Sequence, residues 1–305
     1  MKYTENAINI LTVREFPQKG PAWIYKNLKG NEDISTLCRL LNTDKDEFME
    51  IRDSVEKAVM RLDGSIDGVV ALGDSEFPSC RGYVKSGDKP FALFYKGDIS
   101  LLQNENLNVA VIGVLNPDDR VELSEIMVTE EILKHKATIV SGLALGCDSI
   151  AHNTALRNNA KTIAILPSVL NDILPKENVE LAEKIVEQGG LLVSEYYKKA
   201  ESRNELISRF VVRDRLQAMF SDAILLVASY AQNDQGNDCG SRHAMGKAMD
   251  YDIKRAVIYN EAKHGDNPMY DLNRQILRSD SSVIRIDSTN MTSKVQELVR
   301  KTTFF

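Results

Sequence analysis

The sequence predicts an α/β protein, a doubly wound parallel sheet preceded by a small N-terminal helical domain. Three observations predict it. After residue 106, short apolar runs without strict alternation are separated by amphipathic stretches, as expected of strands buried on both faces and joined by right-handed crossover helices. Residues 1–62 carry helical periodicity alone. Between the two lies the third observation, a strand-rich stretch over residues 63–105 that leads into the core at 106–305.

Taken in order, Ala7, Ile8, Ile10 and Leu11 open one helical segment and Trp23, Ile24 and Leu28 a second, with Pro17, Gly20 and Pro21 between them. Further segments run from Ile34 to Leu41 and from Asp46 to Leu62. The lead-in holds Gly68 to Leu72 and Phe91 to Tyr95, read as a connecting layer of strand and turn. Core strands are predicted at Asn108 to Ile112, Ala137 to Val140, Thr162 to Leu166, Leu191 to Ser194, Ala223 to Val227 and Ala256 to Tyr259. Helices fall between them at Val121 to Lys136, Asp148 to Asn158, Asn178 to Gln188, Glu205 to Phe220 and Ser241 to Asp250.

With 305 residues, 43% hydrophobic and 27% charged, the chain has the balance of a globular protein with a full core. A leader pattern and long apolar runs are missing from the sequence, which predicts a cytoplasmic location and no membrane partner. Cys38, Cys80, Cys147 and Cys239 lie far apart without C-x-x-C, so isolated reduced thiols are expected. A net charge of −6 argues against indiscriminate binding to polyanions while leaving room for one local basic surface.

In a doubly wound sheet the turns at the carboxyl ends of the strands carry the chemistry. The most informative is Ser141-Gly142-Leu143-Ala144-Leu145-Gly146-Cys147-Asp148, running into a helix that bears His152. Its glycines let the backbone approach a ligand, and the helix start favours an anion. The spacing is neither G-x-G-x-x-G nor G-x-x-x-x-G-K-[ST], which excludes the generic dinucleotide and ATP motifs. The first turn begins at Gly113, with Asp118 or Asp119 suited to cap the following helix. His152 suits helix packing. Lys176 stands at a helix entrance, where a cation opposes the dipole, and is a candidate anion contact or a solvated lysine beside Glu177.

The one basic stretch contains Lys198, Lys199, Arg203, Arg209, Arg213 and Arg215. It suits phosphate, with Arg213 and Arg215 offering bidentate forks, or it is a helix face with internal ion pairs. Tyr196 and Tyr197 suit base stacking or packing. Gly240-Ser241 offers amides to a second phosphate, or Ser241 is an N-cap; Arg242 and His243 are further candidate contacts. Asp148 and Glu195 form a conceivable carboxylate pair. Neither G-x-S-x-G nor H-E-x-x-H occurs, and no cofactor, metal or catalytic set is expected.

The ordered motifs resemble the DprA/Smf family of DNA-processing proteins. The resemblance rests on Ser141-Gly142-Leu143-Ala144-x-Gly146-x-Asp148-x-x-Ala151-His152, Pro175-Lys176-x-Asn178, Ser194-Glu195 and Phe210-x-x-Arg213-x-Arg215, with Asp74-x-x-Phe77-Pro78 upstream. It implies an extended Rossmann-like fold, a homodimer, and a basic pocket for single-stranded DNA that is passed to a RecA-type recombinase. The helical segment resembles the family's SAM-like domain. Where the family has an arginine in the first turn, this chain has Leu115. The late motif reads Asp238-Cys239-Gly240-Ser241-Arg242-His243-Ala244, and the stretch after Tyr259 is short for the winged-helix domain many members carry. Two rivals follow from these departures: a pocket for a free nucleotide or nucleotide-derived signal, and a scaffold whose helical segment binds a protein.

Overall fold

The computed structural model describes residues 1–232 and 240–300. Four helices, α1 (Glu5–Glu15), α2 (Pro21–Asn27), α3 (Ile34–Leu41) and α4 (Lys45–Met60), lead into β1 (Gly68–Ala71) and β2 (Ala92–Gly97). The alternating core follows as β3 (Asn108–Ile112), α5 (Asp119–Leu133), β4 (Thr138–Ser141), α6 (Cys147–Arg157), β5 (Thr162–Leu166), α7 (Val179–Glu187), β6 (Leu191–Ser194), α8 (Arg203–Met219) and β7 (Ala223–Leu226). Then come α9 (Ser241–Asp250), β8 (Lys254–Ile258), α10 (Glu261–His264), α11 (Asp271–Ser279), β9 (Ile284–Ile286) and α12 (Met291–Val299).

Among the described residues the strands form one sheet in the order β1-β2-β6-β5-β4-β3-β7-β8-β9. From β3 the chain winds outward through β4, β5 and β6, then returns to place β7 on the other side of β3. Val109 of β3 accordingly sits between Ile139 of β4 and Ala223 of β7, both in parallel register. The reversal of winding leaves a crevice above the carboxyl end of β3.

The lead-in differs from the expected connecting layer. β1 and β2 extend the main sheet itself, β2 running antiparallel to β6 with Phe94 opposite Ser194. Arg81 fixes that stretch to the core. Its buried guanidinium donates to the carbonyls of Phe220 (2.8 Å), Gln103 and Asn106 (3.1 Å each), and its Nε lies 3.2 Å from Asp222.

Local chemistry explains the helix starts. Thr4 accepts from Ala7 N–H, Asp33 from Thr36, Asp44 from Glu47, Asp118 from Arg120 and Val121, and Ser202 from Glu205. The apolar stripes of the first four helices bury into one cluster with Ala71, Ala92, Phe94, Leu192 and Ala164, so they cover one face of the β1-β2-β6-β5 half. Asp74 pins this layer, accepting from Thr4 Oγ1 (2.8 Å) and Asn6 Nδ2 (2.9 Å). Beyond β8, strand β9 and helices α10 to α12 had no sequence prediction. β9 is three residues long, too short for its burial pattern to register as periodicity.

Candidate functional site

A cleft of about 380 Å³ opens at the crevice above β3. Gly113 and Leu115 of the first turn form one lip, Ala144 and Asp148 a second, and Gly240 and Ser241 at the start of α9 a third. The remaining wall is α8, through Ile207, Phe210, Val211, Arg213, Asp214 and Gln217.

The glycine turn is built by close approach. Ser141 Oγ donates to the Val111 carbonyl at 2.7 Å and is fully buried. A Cβ on Gly142 would collide with the Arg213 guanidinium, and one on Gly146, at φ 72°, with the carbonyls of Val114 and Leu115. Leu143 holds φ 60°, a conformation that non-glycine residues seldom adopt outside constrained sites. Asp148 Oδ2 accepts from the Gly142 N–H (3.0 Å) and the Ala144 N–H (3.2 Å). The turn amides that the sequence offered to a phosphate are therefore held by the chain's own carboxylate. With its amide oriented by its neighbours, Gln217 Oε1 accepts from Gly142 N–H (2.9 Å) and Arg213 Nη1 (3.2 Å). Asn178 Nδ2 donates to the carbonyls of Leu143 (2.8 Å) and Ala144 (3.1 Å), which seats the Lys176 turn against this one.

Most cations of the basic stretch are committed to partners. Arg215 forks onto Glu195, with both N···O distances 2.7 Å, and its Nε donates to the Asp88 carbonyl at 2.7 Å. Arg213 is 4% exposed; Nη1 donates to the Ile165 carbonyl at 2.8 Å and Nε lies 3.3 Å from Asp214. Residues two apart on a helix point to different sides, so Arg213 and Arg215 do not converge on one ligand, a separation their spacing already implied. Arg209 pairs with Glu205 and stacks over Tyr196 at 4.0 Å. Lys198 and the Tyr197 hydroxyl both bind Glu15 of α1, and the Tyr197 ring stacks on Phe94. Lys176 pairs with Asp172, not Glu177, and Asp172 also takes Lys199 at 2.8 Å. The stretch is thus chiefly a helix face with internal ion pairs, because a buried guanidinium must find an acceptor. Arg203, at the start of α8, is exposed.

Glu195 and Asp148 keep separate partners and do not form a carboxylate pair. Burial pushes the Asp214 carboxyl up to about 7, with the Asp148 charge adding to the rise and Arg213 opposing it. Burial likewise raises Asp148, against Arg213 and the turn amides. His152 is fully buried, with Nδ1 2.7 Å from Thr162 Oγ1, and burial followed by the Arg213 charge drives it down to about 3. Ser241 is the first residue of α9 rather than its cap. Gly240 holds the cap position, and the Ser241 hydroxyl donates to the Gly113 carbonyl at 3.4 Å, closing the first and last turns together. Arg242 Nη2 lies 3.5 Å from His243 Nε2. Asp238 and Cys239 of the late motif lie outside the described residues. Among those residues no cluster of His, Cys, Asp and Glu suits a metal, and no helix is long and apolar enough to cross a membrane.

Sequence reasoning did not single out Ile207, Val211, Asp214 and Gln217 as site residues. Their spacing of four, three and three is the signal that places them on one helix face.

A family model for DNA recombination-mediator protein A matches residues 68–278. Protein Smf of Borreliella burgdorferi is 30% identical over 174 residues, covering 56% of this chain and 51% of that protein. DNA processing protein DprA of Bacillus subtilis is 29% identical over 215 residues, covering 68% and 71%. The chain spans about half the length of the first of these relatives. The solved DprA of Streptococcus pneumoniae covers 98% of this chain and is itself 99% covered, at TM-score 0.72 and 22% identity, a likeness of fold. DprA of Helicobacter pylori, whose structure concerns its single-stranded DNA binding mode, covers 76% of this chain and is 96% covered, at TM-score 0.60 and 28% identity.

Proposed function

The chain belongs to the DNA recombination-mediator protein A family, and on that premise we propose that it binds single-stranded DNA in DNA processing. The observation that carries the reading is the cleft at the switch point, which lies within the segment the family model covers. The Helicobacter pylori relative, described for its single-stranded DNA binding mode, supports it. Arg203 stands one helical turn before Ile207, Arg242 follows Ser241, and Asn178 of the Lys176 turn donates to the Ala144 carbonyl, which supports a reading in which these cations border the cleft. In this reading Lys176, Arg203, Arg242 and the Gly240-Ser241 turn contact the backbone. Gly113, Ser141, Gly142, Gly146 and Arg213 shape the crevice, and Arg215 holds α8 to the end of β6. The family's description as a recombination mediator supports a further step, in which a cytoplasmic homodimer passes the strand to a RecA-type recombinase.

A salt titration of a labelled oligonucleotide tests the reading. Binding falls as salt rises, with a slope of about −0.7 per phosphate contacted, and Lys176→Ala lowers both affinity and slope. Absence of binding at low salt overturns it.

Leu115 favours one other reading, a free nucleotide or nucleotide-derived signal in the same cleft. It predicts thermal stabilisation by a mononucleotide without oligonucleotide binding.

A further inference from the structure

Cations and aromatic rings continue past the cleft onto the helical segment. The loop that leads into the Lys176 turn holds Asp172, whose carboxylate pairs with Lys176 and, at 2.8 Å, with Lys199. Beside Lys199, Lys198 reaches Glu15 at the end of α1 at 3.0 Å. The exposed Arg14 next to Glu15 makes no ion pair among the described residues. Two cations therefore stand at each of these carboxylates, and each point keeps a positive charge to spare. Tyr197 fixes the junction: its hydroxyl donates to Glu15 at 2.6 Å and its ring stacks on Phe94 at 5.5 Å, so it packs rather than waiting for a base. Four residues beyond Glu15, Lys19 donates its N–H to the Phe16 carbonyl and lays its ammonium 4.3 Å from the centre of the Trp23 ring. Lys26, three residues after Trp23 on the same side of α2, is exposed. Neither lysine has a carboxylate partner among the described residues.

We propose that a single strand bound at the cleft continues along this line onto the helical segment, with Lys199, Lys198, Arg14 and Lys19 taking its phosphates and Trp23 stacking one of its bases. The proposal rests on the single-stranded DNA reading above and adds a second contact region to it. Exposed pairs between lysine and carboxylate hold weakly, so a phosphate competes for these ammonium groups at little cost, unlike the buried guanidiniums of Arg213 and Arg215. An ammonium over an indole with no anion beside it marks a ring face that is not packed against protein. A base can take that place while its own phosphate receives the displaced ammonium. Every base has a π-face, so the contact holds a strand without selecting its sequence. An acidic polypeptide would use the cations and leave the ring without a role.

Trp23 is the single tryptophan of the chain, so its emission reports on this site. The test titrates the full chain with labelled oligothymidine of about 4 and about 16 nucleotides, the range of single-strand sites. Anisotropy of the label and emission of Trp23 are read together. The long strand quenches Trp23 and binds about tenfold or more tightly than the short one, which occupies the cleft and leaves the emission unchanged. Trp23→Ala costs the long strand about tenfold in affinity, and Trp23→Phe, which keeps a ring to stack on, restores most of it. Arg14→Gln with Lys19→Gln changes two surface residues that do not line the cleft, and lowers the salt slope of the long strand by about 0.7 per contact while leaving that of the short strand as it was. Long-strand binding that leaves the emission of Trp23 unchanged overturns the proposal, keeps the single-stranded DNA reading, and leaves the helical segment to a protein partner. Equal quenching by the short strand overturns the continuous path from the cleft. Failure of both strands to bind at low salt removes the reading and the proposal together.

Discussion

The guanidinium of Arg213 rests on the α-carbon of Gly142, with no room for a side chain between them. From that position Nη1 reaches the Ile165 carbonyl at 2.8 Å, which links α8 to the end of β5 beneath the glycine turn. The glycine at the opening of the turn is therefore required by an arginine that a helix inserts from the far side of the crevice. Gly142→Ala forces the guanidinium off its acceptor and leaves a buried charge less well paired. We expect a loss of about 3 kcal/mol in denaturant unfolding, with loss of oligonucleotide binding. A stability within a few tenths of a kcal/mol of the parent would show that the contact relaxes freely.

Leu115 stands exposed on the lip of the cleft, at the position where the family resemblance implies an arginine. Leu115→Arg adds a cation at the cleft without disturbing the core. Affinity for single strands rises by about tenfold at low salt, and the slope of log affinity against log salt steepens by about 0.7. An unchanged slope places this lip away from the strand.

Asp214 sets a pH dependence. Its folded-state value of about 7 lies above the unfolded carboxylate value near 3.8, so the folded chain holds a proton that the unfolded chain releases. Stability from this group is fully present below pH 4 and is lost as pH rises toward 7, by a few kcal/mol at most. Chemical denaturation at stepped pH checks it, and Asp214→Asn abolishes this component.

His152 acts in the opposite sense. Its folded value is depressed to about 3 from 6.5, so its contribution is present above pH 6.5 and is lost as pH falls toward 3, by about 1.4 kcal/mol per unit. Between about pH 4 and 6.5 the slopes of His152 and Asp214 oppose each other and the parent stability curve is flattened. Asp214→Asn tilts the curve toward the His152 sense, stability falling further with acid than in the parent while the raised Asp148 still opposes it, and His152→Gln leaves the buried carboxyl groups, stability rising with acid. Two variants with curves parallel to the parent would contradict both assignments.

Arg215 and Glu195 are each about nine-tenths buried and share two hydrogen bonds. Arg215→Ala leaves Glu195 charged and buried, and costs about 3 to 5 kcal/mol. The double replacement Arg215→Met with Glu195→Leu recovers most of that loss, because the pair's attraction is offset by its own desolvation. A double-mutant cycle by denaturant unfolding measures the coupling, and a coupling near zero would contradict a shared ion pair.

The alternation of apolar strands and amphipathic helices was legible from residue 106 to Tyr259 because buried parallel strands carry a strong, local signal. Three of the six predicted core strands coincide with β3, β5 and β6 to the residue. The turn from Ser141 to Asp148 was legible for the same reason, since glycine marks close backbone approach wherever it stands. The partners in that approach were not legible. Nothing local tells that Gly142 makes way for Arg213, that Asp148 takes the turn amides, or that Arg215 is spent on Glu195, because these contacts join residues from 4 to 71 positions apart. Sequence spacing records which side of a helix a residue occupies, and the fold alone sets what faces that side. A run of cations that promised a phosphate surface became chiefly a set of internal ion pairs, since burial of α8 against the sheet left the guanidinium groups of Arg209, Arg213 and Arg215 needing an acceptor more than a ligand.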